Sequence, residues 1–276
     1  MACSDSDYAF LRELVLTQSA NLIDPSRNAL FETRLTPLAR QAGAADLKDL
    51  VNILRVEDQE DHLHRAVAEA MTINETSFFR DVKPFDVLRH CVIPKLIEAR
   101  QDQRKLRIWS AAASNGQEAY SLGMLLAEHF PELSRWDVKI VGTDLSRQVL
   151  EYAKRARYRR LEVNRGLPAR LLVKYFERDG DEWEVKAKVR EMCEFRYANL
   201  CAPLPELPVF DLVLLRNVLL YFPQQDRSCV FSDVYRHMAP EGYLLLGNAE
   251  QAEDSTNLFE VEFFDGAYFY RPVAVS

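Results

Sequence analysis

The feature that most constrains the fold of this chain is an alternation of short apolar runs with helical segments. The apolar runs lie at residues 104–111, 138–141, 193–196, 210–215 and 243–246. Helical segments follow the first two runs, at residues 117–130 and 147–156. Strands that alternate with helices predict a parallel sheet covered by helices on both faces. Residues 259–270 add two strands around Asp265-Gly266, which predicts a closing antiparallel hairpin.

The first 70 or so residues carry a different pattern, in which helical segments follow one another and nothing predicts a strand. Asp24-Pro25 is typical of an N-cap followed by proline at the first helical position, and Gly43 is expected to end that helix. Pro37 lies inside it and predicts a kink or a break. The sequence therefore predicts an N-terminal helical domain at residues 1–72 and a second domain at residues 73–276.

One stretch, at about residues 158–192, interrupts the alternation of strands and helices. It contains a helical piece at residues 168–176 and then a charged, hairpin-like piece with a turn near Asp179-Gly180. The stretch is either a small inserted β-subdomain or a long, decorated crossover connection, and the pattern alone favours neither.

The charge of the 276 residues is acidic, with a net charge of −7 and a sequence pI of about 5.4. Proteins that bind nucleic acid usually carry a basic surface, so no nucleic-acid partner is expected. A local basic run at residues 154–160 is either a solvated face or a docking surface for an acidic protein.

Neither a membrane span nor an export signal is expected. No stretch approaches the roughly 18 apolar residues of a spanning helix, and the first ten residues lack a basic segment before an apolar core. The five cysteines are scattered without a CxxC pair, which is typical of reduced thiols in a cytoplasmic protein. The five histidines show no metal-ligand spacing, so no metal is expected.

In an open α/β sheet, ligands bind beyond the carboxyl ends of the strands. The loop at residues 110–118 follows the first strand and is rich in small residues that allow a close approach of the backbone. It contains a single glycine, Gly116, so it is not a dinucleotide-binding GxGxxG loop. The loop is either a receptor for a ligand without a pyrophosphate or an ordinary strand-to-helix turn.

Two more polar residues follow predicted strands. Asp144 ends the second strand, where a carboxylate can accept hydrogen bonds from both ribose hydroxyls of a nucleoside. Asn217 follows the apolar strand that ends at Leu215 and offers both a donor and an acceptor. The alternative for each is a capping or turn role.

Several segments, taken together, resemble the CheR family of chemoreceptor methyltransferases. They are TINETSFFRD at residues 72–81, IWSAAASNGQEAYS at 108–121, GTDL at 142–145, FDLVLLRNVLLYF at 210–222, PEGY at 240–243 and GNAE at 247–250. Their order along the chain is that of the family. The chain departs from the family's pattern at Asn115, Gln117, Ala119 and Asn248-Ala249.

The resemblance implies an α/β fold: an S-adenosylmethionine-dependent methyltransferase (Rossmann-like) domain with an N-terminal all-helical domain and a small inserted β-subdomain. It implies that the protein transfers a methyl group from S-adenosylmethionine to glutamate carboxylates of a chemoreceptor, giving methyl esters and S-adenosylhomocysteine. The alternatives are a non-catalytic CheR-like binding module and a methyltransferase of the same fold that acts on a small molecule or RNA.

The resemblance also implies the site. The residues expected to bind the cofactor are Asn74, Thr76, Arg80, Glu118, Asp144, Asn199, Leu200, Asn217 and Val218. Arg80 and Tyr221 are expected nearest the methyl transfer, Arg80 by orienting a carboxylate and Tyr221 by presenting its hydroxyl. The alternative for Arg80 is an ion pair with Asp81, and the alternative for Tyr221 is a core aromatic. A glutamate is ionised at neutral pH, so no general base is required.

The expected partner is a methyl-accepting receptor with an acidic helical bundle. Arg27 and Arg34 are seven residues apart, would share a helical face and would contact this bundle or simply be solvated. The hairpin near Asp179-Gly180 is shorter and poorer in glycine than in relatives that tether to a receptor's C-terminal pentapeptide, so no tether is expected. A monomer is expected, because no long apolar stripe is left unexplained.

Overall fold

The computed structural model describes residues 3–56, 62–252 and 257–273. Its N-terminal part is helical. The four helices are α1 (Asp5–Ser19), α2 (Ala29–Gln41), α3 (Leu47–Val56) and α4 (His62–Ala70). A capping box starts α1: Ser4 N–H donates to the Asp7 carboxylate at 2.9 Å, and Asp7 N–H donates to Ser4 Oγ. Leu11, Phe31, Leu50 and Val67 are fully buried where the four helices meet.

The helix α2 runs through Pro37, so of the predicted kink or break the break is wrong, and a kink stays a prediction. Pro37 lies on the exposed side of the helix, where water can replace the hydrogen bond that its missing N–H cannot donate. Burial of Phe31 and Leu35 holds the other side of α2 against its neighbours. The predicted end is confirmed, because α2 stops at Gln41 and Gly43 follows with a left-handed φ of 77°.

Arg27 and Arg34 do not share one α-helix. Arg27 is exposed and ends the 3₁₀ turn Pro25–Arg27, which lies before α2. Arg34 lies within α2, is half-buried and donates to the carbonyl oxygen of Thr72 at 2.5 Å. Arg27 and Arg34 therefore belong to two successive helical elements, and both their common face and their contact with a receptor stay predictions.

In the described residues after α4, ten strands form two sheets and are accompanied by eight α-helices. The strands are β1 (Lys105–Ala111), β2 (Asp137–Asp144), β3 (Arg157–Arg159), β4 (Phe176–Asp179), β5 (Glu182–Val185), β6 (Cys193–Tyr197), β7 (Phe210–Leu215), β8 (Met238–Leu246), β9 (Phe259–Phe264) and β10 (Ala267–Pro272). The helices are α5 (Lys83–Val87), α6 (Ile93–Ala99), α7 (Gln117–His129), α8 (Arg147–Arg155), α9 (Arg160–Val163), α10 (Ala169–Tyr175), α11 (Ala187–Arg190) and α12 (Gln224–Arg236).

The main sheet has seven strands in the order β6-β2-β1-β7-β8-β10-β9. Neighbours from β6 to β8 are parallel, and β10 pairs antiparallel with β8 and β9, as the predicted hairpin requires. The strand β8 begins at Met238 rather than at residue 243, because Met238 pairs with Phe210 across a register shift. The strand order reverses between β1 and β7, which is where a sheet of this kind opens a crevice.

Both faces of the sheet are buried at its central strands β1 and β7, as expected for parallel strands. Side chains alternate along β1: Ile108 packs in one apolar cluster with Tyr120 and Leu212, whereas Trp109 packs in the other with Val213. The indole N–H of Trp109 donates to Thr143 Oγ1 at 2.8 Å, so its one polar group is satisfied. The α/β fold predicted from the alternation is thus confirmed.

The second sheet lies within the interrupting stretch and has the order β3-β5-β4. It packs on the chain segment at residue 78. The ring of Phe78 lies edge-on to Tyr158 and Phe176, with centroid distances of 5.0 and 5.6 Å. The Tyr158 hydroxyl donates to the carbonyl oxygen of Asn115 at 2.7 Å. These contacts fix the small sheet beside the loops that follow β1, while the domain boundaries at residues 72, 73, 158 and 192 stay predictions.

No helix among residues 3–56, 62–252 and 257–273 is long and apolar enough to span a lipid bilayer.

We predict that Gly166→Ala destabilises the fold strongly. Gly166 has a φ of 86°, and an added Cβ would lie 2.0 Å from the carbonyl oxygen of Phe78. Backbone atoms would have to move, so we expect a loss of at least about 3 kcal/mol in the free energy of unfolding. The matched control is Gly43→Ala, which has a φ of 77° but no atom near the added Cβ. It should cost only about 1 kcal/mol. Urea unfolding measures both, and equal losses would contradict the prediction.

Candidate functional site

A cavity opens at the carboxyl ends of β1, β2 and β7, at the reversal of strand order. All ten residues predicted to bind the cofactor or to act in catalysis border it. They are Asn74, Thr76, Arg80, Glu118, Asp144, Asn199, Leu200, Asn217, Val218 and Tyr221. The structure thus brings together residues separated by almost 150 positions in the chain, although their individual roles stay predictions.

The loop after β1 has an unusual backbone. Ala112, Ser114 and Gly116 have φ values of 59°, 50° and 87°, in the left-handed region. Only glycine adopts this conformation without cost, so the loop stores strain at Ala112 and Ser114. The conformation turns the N–H of Ser114 toward Asp144, which accepts it at 2.8 Å. The loop and the end of β2 are therefore held at a fixed separation.

Asp144 is 7% exposed and lies where β2 ends. Its Oδ2 accepts from Ser114 N–H, and its Oδ1 accepts from Ser146 N–H at 2.9 Å. Burial raises the pKa of the Asp144 carboxyl, and these backbone hydrogen bonds oppose the rise. A carboxylate offers about four acceptor positions, so Asp144 keeps acceptor capacity for ligand hydroxyl groups. This geometry favours the predicted ribose role.

Arg216 forms the centre of a buried ion network that sequence reasoning did not single out. Its side chain is 2% exposed. One guanidinium nitrogen donates to Glu118 at 2.9 Å, and the other donates to Asp81 at 2.8 Å and to the carbonyl oxygen of Arg80 at 3.0 Å. Glu118 also accepts from Ser110 Oγ at 2.7 Å. Two carboxylates and one cation leave a net negative charge beside the cavity, which suits a ligand that carries positive charge.

Arg80 does not pair with Asp81, whose carboxylate pairs with Arg216 instead. The Arg80 guanidinium is half-buried and donates to the carbonyl oxygen of Glu75 at 2.9 Å. A guanidinium carries five N–H donors, so donors remain for a ligand at the cavity. The predicted alternative, an Arg80–Asp81 ion pair, is not what the structure has.

The N-terminal helices supply one wall of the cavity. Ser19, the last residue of α1, and Asn21, in the connection to α2, border it directly. The amide of Asn199 donates to the carbonyl oxygen of Gln18 at 2.8 Å, and its oxygen accepts from Cys201 N–H at 3.0 Å. Leu22 N–H donates to the carbonyl oxygen of Tyr221 at 2.9 Å. Asn199 therefore joins α1 to the loop after β6, a role that its position in the motif did not reveal.

Sequence reasoning missed three elements of the site: Arg216, Glu250 and the connection between α1 and α2. Arg216 and Glu250 lie inside the motifs that resemble the CheR family. An ionisable residue directly after an apolar strand is the signal that could have identified Arg216. The connection at Ser19 and Asn21 carries no local signal, because only tertiary contact brings it to the cavity.

No group of three or more His, Cys, Asp or Glu side chains in the described parts of the chain could hold a metal ion. All five cysteines are free thiols.

Comparison with known proteins agrees with the position of the cavity. The family model described as "CheR methyltransferase, SAM binding domain", where SAM is S-adenosylmethionine, matches residues 74–267. Chemotaxis protein methyltransferase 1 of Pseudomonas aeruginosa is 36% identical over 98% of this chain and 99% of its own. Chemotaxis protein methyltransferase Cher2 of Pseudomonas putida is 37% identical over 91% of this chain and 92% of its own. The chemotaxis protein methyltransferase of Escherichia coli is 29% identical over 91% of this chain and 86% of its own.

The family match spans more than half of the chain and contains nearly all of the cavity's lining, from Asn74 to Phe222. The relatives match almost from end to end. The chain therefore belongs to the CheR methyltransferase family.

Proposed function

We propose that this protein transfers a methyl group from S-adenosylmethionine to glutamate side chains of a chemoreceptor-like signalling protein, giving methyl esters and S-adenosylhomocysteine. The observation that carries the proposal is the single cavity bordered by all ten predicted residues, inside the region that the CheR family model matches. The relatives named for chemotaxis support the choice of acceptor.

The residues at the cavity fit the proposed cofactor. The bound cofactor supplies a methyl group on a positively charged sulfonium, together with a ribose and an amino-acid end. Asp144 has acceptor positions left for the two ribose hydroxyls. Glu118, fixed by Ser110 and Arg216, keeps negative charge beside the cavity and would attract the positive charges of the cofactor.

The acceptor carboxylate needs to be bound and oriented rather than activated. A free glutamate has a pKa of about 4.3 and is already ionised at neutral pH. Arg80 would hold that carboxylate, or the carboxylate of the cofactor, with its planar pair of N–H groups. The Arg80 guanidinium donates to the carbonyl oxygen of Glu75 and has further N–H donors for this role.

Tyr221 would complete the reacting end of the site. It ends the 3₁₀ turn Leu219–Tyr221, is half-buried and borders the cavity with Arg80. Its backbone is held by Leu22 N–H, so its hydroxyl can be presented to the acceptor from a fixed position. Alignment of the two reacting groups is the main contribution expected from such a site.

We further propose that the acceptor lies on an acidic helical bundle of the receptor and that the enzyme acts as a monomer. Exposed Arg27 is the better candidate contact, since Arg34 already donates to Thr72. The hairpin of β4 and β5 has a two-residue connection at Gly180-Asp181, and this short turn supports action without a C-terminal pentapeptide tether. Neither a nucleic-acid partner nor a metal is part of the proposal.

The reaction class is tested with cofactor carrying a labelled methyl group and a receptor cytoplasmic fragment. We expect label on the fragment that base releases as methanol, as carboxyl esters require. A matched fragment with glutamine at the acceptor positions should take up none. Label that appears only on RNA or a small molecule, or cofactor binding without any transfer, would contradict the proposal.

We predict that Asp144→Ala weakens binding of S-adenosylhomocysteine about 10- to 100-fold, as expected when hydrogen bonds to a charged group are lost. Calorimetric titration measures the change. Asp137→Ala is the matched control, because Asp137 starts the same strand at the opposite end of the sheet. Its affinity should equal that of the wild type. Equal affinities of the wild type and Asp144→Ala would show that Asp144 does not bind the cofactor.

We predict that Tyr221→Phe lowers kcat about tenfold and leaves the affinity for S-adenosylhomocysteine within about twofold, because only a group that meets the acceptor is removed. Tyr235→Phe is the control, since its hydroxyl donates to the carbonyl oxygen of Val273, away from the cavity. Initial rates of methyl transfer to the receptor fragment report kcat. An unchanged kcat in Tyr221→Phe would show that the ring only packs.

A further inference from the structure

Glu250 is a buried carboxylate beneath the loop that follows β7. The residue is 8% exposed. Its Oε2 accepts from the N–H groups of Asn217 at 2.7 Å and Gly247 at 2.8 Å. Its Oε1 accepts from Val218 at 2.8 Å and Leu219 at 2.7 Å. The N–H of Leu220 is a fifth and more distant donor, 3.4 Å from Oε1. All five donors are backbone groups, so one side chain fixes the path of the main chain at the cavity.

The residues held in this way are those that border the cavity. Asn217 and Val218 line it, and Leu219 starts the 3₁₀ turn that ends at Tyr221. The first N–H groups of a helical turn have no partner within the turn and need an acceptor. A carboxylate at that end is also favoured by the dipoles of the turn. Glu250 therefore supports the backbone that carries Tyr221.

Asn217 gives a second reason for such an anchor. Its φ of 59° lies in the left-handed region, which is costly for a residue other than glycine. A strained conformation persists only where its surroundings enforce it. The hydrogen bond from Asn217 N–H to Glu250 is one of the constraints that do so.

Gly247 shows how closely the anchor is packed. A Cβ added there would lie 2.6 Å from Glu250 Oε2 and 2.8 Å from the backbone nitrogen of Asn217. The carboxylate is buried and the nitrogen belongs to the main chain, so neither can move aside easily. A side chain at residue 247 would therefore displace the carboxylate from the loop.

We propose that Glu250 is a positioning residue for the methyl transfer. It acts through the backbone of residues 217–221 to place Asn217 and Val218 against the cofactor and Tyr221 against the acceptor. Glu250 does not border the cavity itself, so its effect is transmitted by the loop. This inference rests on the function proposed above and adds a residue on which the geometry of that site depends.

The test is Glu250→Gln, which keeps the size of the side chain but turns one acceptor oxygen into an NH₂ group facing backbone N–H donors. We expect the Kd of S-adenosylhomocysteine and the KM of the cofactor to rise about tenfold, and kcat to fall about tenfold. The KM of the receptor fragment should stay within about twofold, because the loop is not proposed to bind the rest of the receptor. Glu260→Gln, on exposed β9, is the matched control and should behave as the wild type.

A merely structural role predicts a different result. It would lower the temperature of unfolding but leave Kd, KM and kcat unchanged when they are measured well below that temperature. That result would overturn the inference. Glu250→Asp keeps the charge on a shorter side chain, so its cofactor affinity and kcat should fall less than those of Glu250→Gln. A larger loss in Glu250→Asp would also count against the role of the acceptor oxygens.

Gly247→Ala provides a second test if Glu250→Gln does not fold. It leaves Glu250 unchanged in sequence and should reproduce the loss of cofactor affinity by displacing the carboxylate. Wild-type affinity in folded Gly247→Ala would overturn the inference. Failure of the wild-type protein to bind S-adenosylhomocysteine would instead contradict the proposed function, so the two failures are distinguishable.

Discussion

The buried guanidinium of Arg216 joins three parts of the chain that are far apart in sequence. It meets Asp81 just before α5, Glu118 in the first turn of α7 and the carbonyl oxygen of Arg80. The ring of Phe85 lies 5.8 Å from the guanidinium and helps to cover it. Removing one partner of such a network strands a buried charge, which typically costs about 3–5 kcal/mol. The positions of Arg80 and Glu118 at the cavity both depend on this network.

Much of the fold follows from the sequence, because hydrophobic periodicity is a local property. The strand Phe210–Leu215 is fully buried and agrees with the prediction to the residue, because a largely apolar run of six residues is too short for a typical buried helix. Local steric rules predict a kink or a break at Pro37, yet α2 continues through it, with Phe31 and Leu35 packed on its buried side. The early start of β8 was missed for the same reason: it depends on pairing with Phe210, a contact that no local pattern encodes.

The residues of the candidate site could be predicted only where they lie in recognisable sequence motifs. Asp144 could be argued from its place at the end of a strand, whereas Arg80 and Tyr221 came from family resemblance and could not have been derived from periodicity. The backbone conformation of the loops around the cavity could not be predicted from the sequence. Left-handed φ values occur at Phe79, Asp81, Ala112, Ser114 and Asn217, all non-glycine residues in loops that surround the cavity. The surrounding contacts, including those of Arg216 and Asp144, hold this strain in place.

The N-terminal helices line the cavity, so a shortened chain that lacks them would lose part of the structure around it. Ala20 is 4% exposed and belongs to the same apolar cluster as Leu200 and Phe222, so the end of α1 is part of the hydrophobic core beneath the cavity. A fragment that starts at the family-domain boundary would expose that cluster to water and leave the carbonyl oxygen of Tyr221 without its donor from Leu22. The end of α1 therefore shares its hydrophobic core with the loops that line the cavity, and cutting the chain at residue 74 would remove part of that core.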